Sequence, residues 1–178
     1  NSGQDVSNAV FPIADATAPL VTVNAPNGGE SWAVGSAQNI TWTATDNIGV
    51  TSISLDYSTD NGTNWTVVAT GESNDGTYAW TGPAPPTATA LVRVTAYDAA
   101  TNNASDVSNA VFTIADATAP LVTVNAPHGG ENWAVGSAQN ITWTATDNIG
   151  VTSVSLDYST DNGTNWTSVA TGLANSGT

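Results

Sequence analysis

Apolar positions in this chain recur at every second residue and almost nowhere at every third or fourth. Between residues 39 and 45, Ile40, Trp42 and Ala44 alternate with Thr41, Thr43 and Thr45; between 50 and 58, Ile53, Leu55 and Tyr57 alternate with Ser52, Ser54 and Asp56. A period of two sends the two sets to opposite faces, so both segments are predicted as strands with one buried and one wet face. The same pattern predicts strands at 20–24, 65–68, 78–80, 91–97 and 110–114, with Val92, Val94, Ala96, Phe112 and Ile114 turned inward. Turn signals separate them: Pro26 with Asn27-Gly28-Gly29, the loop Asp46-Asn47-Ile48-Gly49, the hairpin Asp60-Asn61-Gly62, and the proline-rich run at 82–86. Seven or so short strands in about a hundred residues point to an all-β fold, a Greek-key β-sandwich.

The pattern then repeats. Asp5 recurs as Asp106, an offset of 101 residues, and between 5–77 and 106–178 only eight of 73 positions differ. The chain is therefore predicted to be a tandem array of one unit. Residues 1–14 read as the last strand of a preceding repeat, 15–115 as a complete repeat and 116–178 as a partial second one, a window from a longer array. The junction Ala14-Asp15-Ala16-Thr17-Ala18-Pro19 is short and ends in proline, which makes it semi-rigid.

Charge changes this picture more than composition does. Fifteen acidic residues face a single Arg93 and no Lys, for a net charge of −14 with His128 neutral. Such a surface repels nucleic acid and anionic lipid. Charged residues are only 9% of the chain and hydrophobic ones 40%, so it has the apolar material for a core and is no solvated acidic tail. Without Cys there is no disulfide, and no segment has the roughly 20 apolar residues that span a bilayer.

The succession PNGGESWAVGSAQNITW, TATDNIGV, LDYSTDNGTNW, ALVRVTAYDAATN and DVSNAVFTI resembles the bacterial immunoglobulin-like tandem repeats of secreted and cell-surface proteins, and its opening resembles the Ser/Thr-rich surface-anchored sandwich domains. The resemblance covers the whole unit. It implies tandem immunoglobulin-like sandwiches in an extracellular or cell-surface stalk, filament or adhesin, and it implies no chemistry.

In a sandwich with this strand order, the start of the first strand, the loop between the second and third strands and the last hairpin loop share one pole. Asp15, Asp46 and Asp98 are therefore expected to converge there, with Asn47 beside them; Asp116, Asp147 and Asn148 are their equivalents in the second repeat. Three neighbouring carboxylates repel one another, and a chain with one Arg has little to neutralise them. Ca²⁺, which takes six to eight oxygen ligands, is the expected counter-ion. The resemblance points the same way, since related repeats carry Ca²⁺ at such junctions. The alternative is that each Asp caps its own turn through backbone amides.

The hairpin Ser58-Thr59-Asp60-Asn61-Gly62-Thr63-Asn64-Trp65 matches the Asp-box pattern S-x-D-x-G-x-x-W of sialidases and other secreted β-proteins. Asp60, Gly62 and Trp65, with Asp161, Gly163 and Trp166 in the second copy, are read as hairpin architecture. A sialidase needs an arginine cluster for its substrate's carboxylate, and one Arg does not supply it. The lone His128 replaces Asn27 in a variable turn, so no nucleophile has a base. The chain is read as a non-enzyme.

Among the seven Trp residues, Trp42 and Trp143 lie on a core face, whereas Trp32 and Trp80, with Tyr97, are candidates for a glycan-stacking platform. An accessory carbohydrate-binding module of a secreted hydrolase is therefore the rival to the stalk. The expected partners are neighbouring repeats of the array, glycans under the rival reading, and neighbouring chains should the leading strand at 5–13 add to another sandwich.

Overall fold

The structure is a computed structural model, and it describes residues 2–178. It is all-β, and among the described residues no helix is long and apolar enough to cross a membrane. The chain forms two compact units, the first ending at Ala115 and the second comprising Asp116–Thr178.

The first unit is a two-layer sandwich. One layer is three-stranded, with β1 (Leu20–Ala25), β3 (Ala37–Thr45) and β6 (Thr77–Thr81) in the order β1-β3-β6. The other runs β2 (Ser31–Ala33), β9 (Phe112–Ala115), β7 (Thr87–Asp98), β4 (Val50–Ser58), β5 (Thr66–Glu72), with β8 (Asn103–Val107) paired to β7. Pairing is antiparallel throughout except between β2 and β9.

The period-two pattern decides what lies between the layers. Ile40 and Trp42 from one sheet meet Ile53, Leu55, Val92, Val94, Ala96, Phe112 and Ile114 from the other, and all of them are buried. Contacts distant in sequence tie the two layers together. Trp32 of β2 meets Trp80 of β6 with ring centroids 6.0 Å apart, and the Asp106 carboxylate of β8 accepts the Val23 amide of β1 at 2.8 Å.

Two strands escaped the pattern. β2 is three residues long and β8 reads Asn-Ala-Ser-Asp-Val, so neither is long or apolar enough to show an alternation. The leading segment corrects an expectation: 5–13 forms no strand and every residue in it is exposed, although it repeats 106–114. A strand forms at Phe112–Ala115 because β7 and β2 lie on either side of it. Among the described residues, 5–13 have no such neighbours, and Asp5 accepts only from the amide of the adjacent Val6.

The second unit holds β10 (Leu121–Ala126) paired with β11 (Thr142–Thr146), and β12 (Val154–Tyr158) paired with β13 (Thr167–Leu173). A small core of Trp143, Ala145 and Val154 joins them.

Candidate metal centre

Strand register brings the three aspartates together. Leu20 of β1 lies opposite Thr45 of β3, which sets the linker residues just before β1 beside the β3–β4 loop that begins at Asp46. Val50, at the other end of that loop, lies opposite Asp98, the last residue of β7. Asp15, Asp46 and Asp98 consequently offer one oxygen each within 4.8 Å of one another. Calcium bonds oxygens at about 2.3–2.6 Å, so ligands on opposite sides of the ion sit about 5 Å apart. The cluster fits within that span.

Each carboxylate also serves its own loop. Asp46 Oδ2 accepts the amides of Ile48 and Gly49 at 2.8 and 2.9 Å. Asp15 Oδ1 accepts the Thr17 amide at 3.0 Å and the Asn47 side-chain amide at 3.2 Å, and these two donors hold the Asp15 carboxyl below its ordinary pKa. Turn capping and ion binding are thus not alternatives at Asp15 and Asp46, because capping occupies one oxygen of each. The other oxygens, Asp15 Oδ2 and Asp46 Oδ1, are buried without any hydrogen-bond partner. Buried polar atoms almost always have a partner, and an unpaired carboxylate oxygen is among the costlier exceptions.

No side-chain cation is at hand to neutralise them. Arg93 is committed elsewhere, bonded to Asp56 at 3.0 Å and lying 4.5 Å over the Trp65 ring. Asp98 is 4% exposed and both of its oxygens accept from Asn102, from the backbone amide at 2.8 Å and from the side chain at 2.7 Å. An ionised carboxylate has about four lone-pair sites, so Asp98 retains capacity toward a metal. Asn102 was not among the sequence candidates; its only signal was its place in the turn after Asp98.

In the second unit the arrangement is partial. Asp147 caps Ile149 and Gly150 at 2.8 and 3.0 Å and leaves Oδ2 buried and unpaired, as its equivalent does. Asp116 caps Thr118 at 3.1 Å but is exposed, and so is Asn148. The position equivalent to Asp98 lies past Thr178, and the structure brings together no third carboxylate there.

The Asp-box hairpin is built alike in both units. Ser58 Oγ donates to Asp60 Oδ1 at 2.8 Å and accepts the Gly62 amide at 2.9 Å, while Asp60 accepts the Asn64 backbone and side-chain amides at 2.8 and 2.6 Å. Gly62 has a φ of +83°, which a β-carbon would oppose. Asp161, Gly163 and their neighbours repeat the pattern, although Trp166 is 65% exposed.

The glycan-platform candidates are corrected in part. Trp32 and Trp80 are each 8% exposed, and their rings contact one another with centroids 6.0 Å apart. They fill the space between the sheets and present no face to a sugar. Tyr97 is half-buried on β7.

No family model and no curated protein matches the chain. Among solved structures, it is similar to the fibronectin(III)-like modules of CbhA from Clostridium thermocellum, at 21% identity and a TM-score of 0.42, covering 75% of this chain and 66% of that one. A similarity of that size carries no function across.

Proposed function

We propose that the chain is a structural repeat of an extracellular stalk, filament or adhesin whose units bind calcium at the linker pole. One observation carries the reading: two buried carboxylate oxygens without partners, Asp15 Oδ2 and Asp46 Oδ1, belong to a cluster completed by buried Asp98, in a chain with no spare cation. Asp, Asn and backbone oxygens without His or Cys suit a hard cation. Near-identity of consecutive units supports a role served by repetition of a shape, since a stalk gains length from each copy. Calcium sites of extracellular modules work at roughly 10⁻⁴–10⁻³ M, which sets the concentration range in which this one is tested.

In this reading Asp15, Asp46 and Asp98 are carboxylate ligands, and Asn47 orients Asp15. Asp116 and Asp147 would hold an ion only with a third group. The test is the melting temperature of the full chain in EDTA against millimolar CaCl₂ at fixed ionic strength. At about 1 mM calcium and a Kd of about 10⁻⁴ M the ion adds about 1.4 kcal/mol, which raises the melting temperature of a unit of about 100 residues by about 6–11 °C. Identical curves would end the calcium reading.

A further inference from the structure

We infer that Asn102 is the positioning residue that fastens the linker to the first unit before any cation arrives. Its side-chain nitrogen donates to three oxygens: Asp98 Oδ2 at 2.7 Å, and the backbone carbonyls of Asp15 and Thr17, both at 3.3 Å. With two hydrogens on that nitrogen, one serves the carboxylate and the other is shared between the two carbonyls. All three neighbours are acceptors, so the side-chain oxygen does not fit in its place. Asn102 also closes the turn it sits on, donating its amide to Asp98 Oδ1 and accepting the Asp98 amide at 3.1 Å. A single residue thereby ties the last turn of β7 to the linker that precedes β1, across more than eighty positions of sequence.

It follows that the linker aspartate is delivered to Asp46 and Asp98 by neutral hydrogen bonds, and that calcium enters a preformed cradle. The second half of that statement rests on the calcium reading; the first half does not. The experiment is amide ¹⁵N relaxation on the full chain in EDTA, followed by a CaCl₂ titration. Ala16 and Thr17 should be rigid without metal, with order parameters near about 0.85. Asn102→Ala should mobilise residues 15–17 while amides of β3 and β4 are unchanged, and should weaken calcium about tenfold or more, as loss of a ligand-orienting partner does. Asn102→Asp, which loses both donors and adds a fourth carboxylate, should mobilise residues 15–17 in EDTA as Asn102→Ala does.

Mobility of Ala16 and Thr17 in metal-free wild type, with order only on adding calcium, would overturn the clamp and leave the calcium reading intact. Asn102-dependent rigidity with no response to calcium would instead uphold the clamp and remove the ion.

Discussion

Trp32 rests against Phe112 with ring centroids 5.1 Å apart, and that contact separates two copies of one sequence. Trp32 is 8% exposed; Trp133, the same residue one repeat later, is 42% exposed and has no such ring against it. Val23 at 0% and Val124 at 48% differ in the same way, because β7 and β8 pack against β1 and nothing equivalent packs against β10. Phe112→Ala should cost the first unit about 3–5 kcal/mol, as loss of a buried aromatic does. Chemical denaturation measures it, and Trp32 emission should shift to the red.

Gly28 and Gly129 make a matched pair. A β-carbon on Gly28 would lie 2.6 Å from Ala110 Cβ, whereas one on Gly129 meets nothing within 4 Å. Both have positive φ, +122° and +109°, so an alanine is strained at either. The clash is added only in the first unit. Gly28→Ala should therefore lose about 1–3 kcal/mol beyond Gly129→Ala, read from the separate melting midpoints of the two variants.

Asp46→Asn keeps an oxygen able to accept the Ile48 and Gly49 amides but removes one of three converging negative charges. In EDTA the variant should melt at or above the wild-type temperature, since repulsion among the carboxylates is relieved. The rise produced by calcium should vanish. Retention of the full calcium shift would place the ion elsewhere.

The Asp-box gives a pH signature. The Asn64 backbone amide, the Asn64 side chain and Ser58 hold the Asp60 carboxyl down from 3.8 to about 2, and Asp161 is held to about 2 by the equivalent donors. A depressed folded pKa stabilises the fold above the unfolded value. That contribution is complete above about pH 4 and is lost as pH falls from about 4 toward 2. Asp60→Asn should flatten the acid limb of the stability curve and change little at pH 7 beyond the cost of the altered bonds; an unchanged acid limb would show that the hairpin does not titrate with folding.

Much of this architecture was legible in the chain. Ile40, Trp42, Ile53, Leu55, Val92 and Val94 announce their buried face by alternation alone, because a pleated strand forces period two on any sheet with one dry side. Convergence of Asp15, Asp46 and Asp98 could be expected from strand order, since Asp46 and Asp98 sit at strand ends on one pole and Asp15 in the linker that enters β1 there. Asn102 could not. Its role depends on carbonyls of residues 15 and 17, and no local pattern reports which distant backbone atoms an amide will face. Trp32 and Trp80 misled because their strands are short: β2 has three residues and β6 five, too few to reveal which side of a strand is covered.

The two copies draw the line between sequence and tertiary structure. The Ser58–Asp60–Asn64 bonds recur at Ser159, Asp161 and Asn165, and the Asp46 cap recurs at Asp147, because every partner lies within four residues. Those features the amino-acid sequence determined by itself. Burial of Val23 and Trp32, the strand at Phe112–Ala115 and the seating of Asp15 require partners some eighty residues away. Equivalent residues at Val124, Trp133, 11–14 and Asp116 lack those partners and are exposed or half-exposed. Long-range packing settles them, since burial is a property of what covers a side chain and not of the side chain alone.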